Sequence, residues 1–570
     1  MQGMERLAEI PADDQHLNLS QADDEMKASS RSLARPELDR NDRAIAAAIF
    51  TLTLAYLWIF RHYTSMEPDE GIVLQGAQRI LRGEVLYRDF FSYFTPGSYY
   101  FLALLFKLFG SSFLVARTAL VFFGGVYSTI AFLLARRVCS RASAILLAAV
   151  VTLTTLPYRF EVLHNWDSTL CACLAVYCSV RWLESPRWTW AFATGSLASL
   201  TCLFEQSKGA GLVLGLGVGL TAIAFLDRQR SCLNRATSAG ITAGMAWPLL
   251  LTIIYFGSQH SLSLMLADWF WPLHHYSLAN HVPYGYQNWS DATRHLLFGS
   301  GPLLQRAITI LALSPCFLVP VLPLAAFVLL FYRLVQMRRK RGPPAVAAHY
   351  VLVCSALSGL LLSVVAGRAD IIHLVYLMPL FALVLGWMMD GRDIPGQLFK
   401  KIRPVFITCV LGAFMMFAAP MLFRVLNARE RIQTRRGIVQ VPARDTVIEY
   451  IQSHISAGDN ILVYPYLPLY YYLTDTASPT RYEYFQPGMH TPQQAQEMLA
   501  ELTASRVPVV LFDSSFWEKI PTSWPGTPLS AIVRDPLADY IQREYHMCKI
   551  LNSPDDWKFL FMVRKDLACP

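Results

Sequence analysis

Long apolar runs recur along most of this chain, and they constrain its fold more than any other feature. Eleven can be marked, at 44–61, 112–135, 143–157, 166–183, 189–205, 209–226, 236–257, 302–333, 346–366, 371–389 and 404–425. A run approaching ~20 residues matches an α-helix that crosses the ~30 Å hydrocarbon layer of a bilayer. A chain of 570 residues that repeats such runs is a polytopic membrane protein. Hydrophobic residues make up 54% and charged residues only 16%, too little charge to cover a soluble surface. The segment 1–43 is polar, so no cleavable signal sequence is expected and the first run would act as an uncleaved anchor. The 11 cysteines are an odd number and mostly sit inside apolar runs. Cys171, Cys173 and Cys202 read as small core residues and not as a disulfide framework.

The net charge of +8 is explained by topology, and no nucleic-acid partner is expected. The tail before the first run carries Arg31, Arg35, Arg40 and Arg43. Further basic groups are Arg136, Arg137 and Arg141; Arg187; Arg228, Arg230 and Arg235; Arg333, Arg338, Arg339, Lys340 and Arg341; and Arg392, Lys400, Lys401 and Arg403. Every second loop is basic, which places these loops in the cytoplasm. The alternation holds only if "PGSYYFLALLFKLFG" (96–110) does not span; it is short, carries Lys107, and is expected to be interfacial or re-entrant.

The opposite face then receives the first loop (62–111), "YRFEVLHNWD", "FEQSKGAG", the loop 258–301, "GRADIIH" and everything after the last run. Asp69, Glu70, His164, Asp167, Glu205, Lys208, Arg368, Asp370 and His373 all fall there. Ionisable groups at such depths are costly outside a polar cavity, and together they suggest one open to the outside. The tail from 426 changes character. "DTVIEYIQSHI" has helical spacing, "NILVYPY" reads as a strand, "TPQQAQEMLAELTASR" as a helix, "VPVVLFD" as a buried strand, and "LADYIQREY" then "KFLFMVRK" repeat the alternation. The expected fold class is an all-α polytopic membrane protein with a small C-terminal α/β extracytoplasmic domain. Its divisions are 1–43, 44–425 and 426–570.

Several residues carry candidate chemistry, each with a plainer alternative. After Glu67 and Pro68, Asp69 and Glu70 open a helix with residues 72, 73, 76, 77, 80 and 81 on its less polar stripe. Gln75, Gln78, Arg79 and Arg82 face the other way, so an amphipathic helix on the membrane surface is expected. The acids could merely cap it, or one could serve as a general base to a hydroxyl. Lys208 in "FEQSKGAG" could bind a phosphate as a point charge, or snorkel while Gly209 and Gly211 serve helix packing. Asp167 in "HNWDSTL" could be an N-cap. Arg368 and His373 could hold an anion with Asp370 orienting one of them, or form an interfacial salt bridge. No HExxH or paired CxxC occurs, and His274 and His275 in "DWFWPLHHY" read first as part of an aromatic belt.

The acidic pair Asp69–Glu70 continues into "LRGEVLYRDFFSYFTPGSYYFLALLFKLFGSS". It is followed by "HNWDSTLCACLAVYC", "FEQSKGAGLVL" and the tail segment "VYPYLPLYYYLTDTASPTRYEYFQPGMH". In this order and spacing the chain resembles the GT-C membrane glycosyltransferases. It is most similar to the bacterial protein-mannosyltransferase and aminoarabinose-transferase-like group, including Rgt-type galacturonosyltransferases. The resemblance covers roughly 44–390. It implies an inverting transfer from a polyprenyl-phosphate-linked sugar to a lipid, glycan or protein acceptor, on the outer side of a bacterial inner membrane. It implies that Asp69 is the catalytic acid position with Glu70 its partner. Lys208 would lie near the donor phosphate, and Arg368, His373, Asp167 and Arg88 would belong to the substrate-binding set. No cofactor is evident and a divalent cation is left open. A transporter or lipid flippase with an outward polar cavity is the alternative; the lack of two related halves counts against it.

Overall fold

The computed structural model describes residues 38–227, 232–275, 278–339, 344–390, 403–530, 534–554 and 557–570. Arg31, Arg35, Arg228, Arg230, Lys340, Arg341, Arg392, Lys400 and Lys401 lie outside the described residues. The helical part runs α1 (Arg40–Leu57), α2 (Pro68–Leu81), α3 (Gly97–Phe109), α4 (Phe113–Ala135), α5 (Arg141–Thr154), α6 (His164–Glu184), α7 (Trp188–Phe204) and α8 (Gln206–Leu226). It continues as α9 (Arg235–Ser258), α10 (Leu262–His275), α11 (Asp291–Phe298), α12 (Leu303–Arg338), α13 (Pro344–Ala366), α14 (Ile371–Tyr376), α15 (Met378–Asp390) and α16 (Arg403–Asn427). Among the described residues, eight helices are long and apolar enough to cross a membrane. A helix also stands at 164–184 and at 188–204. The run 371–389 is broken at Leu377 into α14 and α15. Helix α3 has 13 residues, a length of ~20 Å at 1.5 Å per residue, short of the ~30 Å of a span. The loop 258–301 holds the helices α10 and α11, which the apolar pattern did not mark.

Small residues set the closest helix contact. A Cβ on Gly211 would lie 2.3 Å from the Gly359 carbonyl oxygen, and one on Gly215 would lie 2.4 Å from that of Ser355. Gly211, Gly215 and Gly219 recur every four residues along one face of α8, so its backbone lies directly on α13. Gly209 likewise meets Cys202 of α7. The glycines after Lys208 are therefore packing residues.

The tail after α16 begins with a hairpin, β1 (Glu430–Thr434) and β2 (Gly437–Val441), followed by α17 (Thr446–His454). It goes on with β3 (Leu462–Tyr464), α18 (Leu469–Thr474), α19 (Pro492–Ser505), β4 (Val509–Asp513), α20 (Phe516–Ser523), α21 (Pro536–Glu544), β5 (Tyr545–Asn552) and β6 (Lys558–Arg564). The sheet order is β3-β4-β6-β5, with β3 and β4 parallel and the other two pairings antiparallel. Val463, Leu511 and Phe559 are buried on one face of this sheet and Leu462 and Val510 on the other. The hairpin and β5 were not anticipated, and neither was the disulfide Cys548–Cys569 that ties the last residues to β5.

The main correction concerns α2, which was expected to lie on a membrane surface. It is buried along most of its length because both of its faces are covered by protein. A Cβ on Gly71 would lie 2.0 Å from the Leu469 backbone nitrogen at the start of α18, and one on Gly76 would lie 2.4 Å from the Tyr99 ring of α3. The polar face is satisfied by the tail. Arg79 pairs with Glu483 at 2.8 Å and Arg82 with Asp475 at 2.7 Å, and Gln75 reaches the Thr476 carbonyl. The helix thus separates the membrane bundle from the α/β unit. Hairpin strand β2 holds the approach to it, because Gln440 exchanges backbone hydrogen bonds with His62 and Thr64.

Candidate active site

Three segments meet at Asp69: the N-terminus of α2, the loop 159–163 between α5 and α6, and the turn after β3. Pro68 starts α2 at its first position, and Glu67 is the N-cap residue with no side-chain capping bond. Asp69 itself reaches outward. Its Oδ2 accepts from Arg159 at 3.0 Å, its Oδ1 accepts from the Tyr466 hydroxyl, and its side chain is still 43% exposed. The carboxylate is thus fixed by two donors from distant parts of the chain and open on another side.

Arg159 is the electrostatic centre of the cluster. Its guanidinium also pairs with Glu161 at 2.8 Å and Glu67 at 3.7 Å. Three carboxylates share one cation. Burial, with Glu67, Glu70 and Asp69 nearby, pushes the Glu161 carboxyl up to about 8 against the lowering pull of Arg159. Burial pushes the Tyr466 phenol well above its ordinary value, and the Asp69 charge adds to this, so Tyr466 stays a donor. Trp166 fixes the loop by donating its indole N–H to the Arg159 carbonyl.

The other expected residues fall into distinct places. Glu70 does not accompany Asp69. It points inward with no exposure, accepts from Arg117 at 2.6 Å and from the Val162 N–H at 3.0 Å, and so fastens α2 to α4 and to the loop 159–163. Lys208 was expected at the rim of a cavity, but it is 2% exposed. Its Nζ bonds Glu205 at 2.8 Å, Ser168 Oγ at 2.8 Å, Thr169 Oγ1 at 3.1 Å and the Asn165 carbonyl at 2.9 Å. An ammonium has only three N–H groups to share among these partners. The charge is used to join α6 to α8.

Asp167 is not an N-cap. It lies buried inside α6, whose N-cap is Leu163, and accepts from Ser98 of α3. Asp370 orients both of its neighbours: it caps α14, accepts from the His373 ring at 2.6 Å and accepts from Arg368 at 2.6 Å. Burial would raise its carboxyl, but His373 and Arg368 hold it well below the usual range. Arg368 also donates to the Ser523 carbonyl of the α/β unit. Arg88 is half exposed and pairs with its neighbour Asp89 at 2.8 Å; its other bond reaches the Gln259 carbonyl.

His164 packs against Phe94 with ring centroids 4.0 Å apart and tilted, and its Nδ1 has no hydrogen-bond partner among the described residues. Asp69, Glu205, Lys208 and His373 are its electrostatic neighbours. Tyr376 packs edge-on to Trp166 at 4.8 Å and to His373 at 5.7 Å. Arg159, Glu161, Tyr376 and Tyr466 were not singled out from the sequence. The pair in "YRFEV" carried a signal, because an Arg and a Glu two residues apart stand alone between two apolar runs. Tyr466 carried none.

For a divalent cation, the residues at Asp69 do not present a fitting set. The Arg159 guanidinium already stands among Glu67, Asp69 and Glu161. Among the described residues, the one grouping of three convergent metal-ligand side chains is His546, Cys548 and Cys569 in the tail. There Cys548 and Cys569 are joined as a disulfide, so only the reduced form could offer both sulfurs to a metal ion.

Comparison with known proteins bears on the fold. The family model described as dolichyl-phosphate-mannose-protein mannosyltransferase matches residues 94–255. No curated protein sequence matches the chain. The structure of ArnT from Cupriavidus metallidurans bound to undecaprenyl phosphate is 12% identical, with 92% of this chain and 98% of that chain covered and a TM-score of 0.49. The Archaeoglobus fulgidus oligosaccharyltransferase, solved in complex with Zn and sulfate, is 11% identical, with 90% of this chain and 73% of that chain covered and a TM-score of 0.50. The chain therefore shares its overall fold with that oligosaccharyltransferase; it is a predominantly helical polytopic membrane protein with a small β-containing C-terminal extension.

Proposed function

We propose that this protein is an integral membrane glycosyltransferase. It transfers a sugar from a polyprenyl-phosphate-linked donor to a lipid, glycan or protein acceptor on the extracytoplasmic face of a bacterial inner membrane. The setting of Asp69 carries this proposal: an accessible carboxylate with each oxygen fixed by a donor, beside an Arg and within electrostatic reach of His164. An acceptor hydroxyl attacks the anomeric carbon from the side opposite the phosphate, its proton passes to Asp69, and the anomeric C–O bond breaks with its electron pair leaving on the polyprenyl phosphate. A single displacement of this kind inverts the anomeric centre. A phosphate ester is a good leaving group, so positioning with one carboxylate suffices. Arg159 and His164 are the groups near Asp69 that could meet the departing phosphate, with His373 next to His164. Lys208 and Arg368 support them from behind, through Glu205 and Asp370.

The sidedness follows from charge. Arg117, paired with Glu70 next to Asp69, stands in the first turns of α4, and Arg136 and Arg137 stand just past its far end. The helix has 23 residues, ~34 Å at 1.5 Å per residue. Basic ends face the cytoplasm, and a disulfide in the tail suits an oxidising compartment.

The test is purified protein in detergent with a panel of polyprenyl-phosphate hexoses and pentoses, scored by release of polyprenyl phosphate. Asp69→Asn is expected to lower transfer by about 10²–10⁴-fold with donor binding retained, the usual contribution of a positioned base. Near-normal rates in that variant would remove Asp69 from the mechanism.

A further inference from the structure

The C-terminal α/β unit reaches Asp69 itself through one tyrosine hydroxyl. The chain leaves β3 at Tyr464, turns through Pro465, and presents the Tyr466 hydroxyl to Asp69 Oδ1, 397 residues away in sequence. We propose that Tyr466 is a positioning residue for Asp69, so that the α/β unit completes the transfer site instead of merely covering it. This rests on Asp69 being the base.

Three observations support it. First, Tyr466 has no freedom to be elsewhere. Its ring is 7% exposed and sits edge-on to Tyr484 at 5.1 Å and to Trp524 at 5.7 Å, with Phe516 at 6.4 Å. A tyrosine held on this many sides aims its hydroxyl in one direction, and that direction is Asp69. Second, the two oxygens of Asp69 are divided between the two parts of the molecule. Arg159 from the membrane bundle takes Oδ2 and Tyr466 from the tail takes Oδ1. With Arg159 alone, the carboxylate could rotate about χ2 while keeping its ion pair, and the lone pair meant for the acceptor proton would lose its direction. Two donors on two oxygens fix the plane. Third, the docking is built to tolerate little movement. The Arg79–Glu483 pair is buried, with side-chain exposures of 9% and 3%, and Gly71, two residues from Asp69, lies in backbone contact with the start of α18. A shift of the α/β unit by an ångström would break the Tyr466 bond, and positioning errors of that size cost catalysis heavily.

The phenol contributes no proton to the reaction. It donates one hydrogen bond before, during and after transfer, which is charge-assisted while Asp69 is ionised. Its role is therefore expressed only through Asp69.

The experiment uses the full-length protein in detergent, with the polyprenyl-phosphate sugar from the panel that is turned over fastest. Tyr466→Phe keeps the ring among Tyr484, Phe516 and Trp524 and removes only the hydroxyl. It is expected to lower kcat by about 10- to 100-fold, the effect of losing a hydrogen bond to a charged group, with KM for the donor and thermal stability close to wild type. Tyr484→Phe, which alters a packing neighbour, controls for general loosening and is expected to leave kcat unchanged. The decisive arm is the pair of variants combined: in an Asp69→Asn background, Tyr466→Phe should cost nothing further. A Tyr466→Phe loss that multiplies with that of Asp69→Asn would overturn the proposal, because the hydroxyl would then act elsewhere. An enzyme slowed by Asp69→Asn but unaffected by Tyr466→Phe would overturn it while leaving Asp69 as base. An enzyme indifferent to Asp69→Asn would overturn both.

Discussion

Lys208 separates two physical accounts of the same residue, and its replacement can be worked from the structure. The ammonium is 2% exposed and lies 2.8 Å from Glu205 Oε2, whose side chain is itself 16% exposed. Lys208→Met keeps much of the volume of the stem and removes the charge. Glu205 then keeps Ser168 and Asn165 as donors at 2.8 and 3.3 Å but has no cation. Leaving one member of a buried pair uncompensated costs about 3–5 kcal/mol, whereas replacing both by neutral groups of similar size is nearly neutral. Thermal and SDS denaturation in detergent should therefore show Lys208→Met strongly destabilised. Glu205→Gln should be destabilised as well, and Lys208→Met/Glu205→Gln should recover most of the loss. Donor affinity measured on the folded fraction should change little. A Lys208→Met protein that melts like wild type but has lost donor binding would refute the reasoning, and would return Lys208 to the phosphate.

Three further outcomes are expected. Glu161 has a folded pKa raised to about 8, so its contribution to stability is present below its ordinary value and lost as pH rises through about 8. Melts from pH 5 to 9 should show wild type falling relative to Glu161→Gln, and parallel curves would contradict this. Gly71→Ala places a methyl 2.0 Å from the Leu469 nitrogen, and overpacking against backbone should cost about 1–3 kcal/mol or more. It should also slow transfer, and a variant with wild-type melting and rate would show that α2 and α18 separate freely. A reporter fused after residue 430 should be active only outside the cytoplasm and one fused within 334–345 only inside; a cytoplasmic tail would reverse the assignment of every site residue.

Eight of the eleven apolar runs were legible as spanning helices because each is specified locally, whereas 166–183 and 189–205 form helices outside those eight and 371–389 is broken at Leu377. The same logic marked α17, α19, α21 and β6, whose periodicities are short and self-contained. It misread α2 because amphipathicity says that a helix has two environments without saying which. The polar face looked ready for water, yet Arg79 and Arg82 answer Glu483 and Asp475 about 400 residues later. Lys208 was misplaced for a related reason. Its partner Glu205 is only three residues away in sequence, but their burial is set by α6, whose Ser168 and Thr169 close over the pair. At the site, Asp69 could be named from its neighbours in the chain, whereas Tyr466 could not. A tyrosine in a run of aromatics has no local mark of the carboxylate that it will meet.

The seating of α2 between the bundle and the tail also has a consequence for biogenesis. Helix α2 leaves the ribosome early, and the residues that satisfy Arg79 and Arg82 follow about 400 residues later, which at ~5–20 residues per second is ~20–80 s of translation. Throughout that interval Arg82 and Gln75 wait at the membrane border without their tail partners, while Arg79 has only its local partners Glu84 and Asp89. The hairpin that clasps His62 and Thr64 is also made only after the last span. Contacts of such sequence separation close late and slowly. The nascent chain therefore carries Asp69 in an unfinished setting until synthesis is nearly complete, and a product truncated in its last hundred residues would insert into the membrane while lacking part of the sheet that anchors Tyr466.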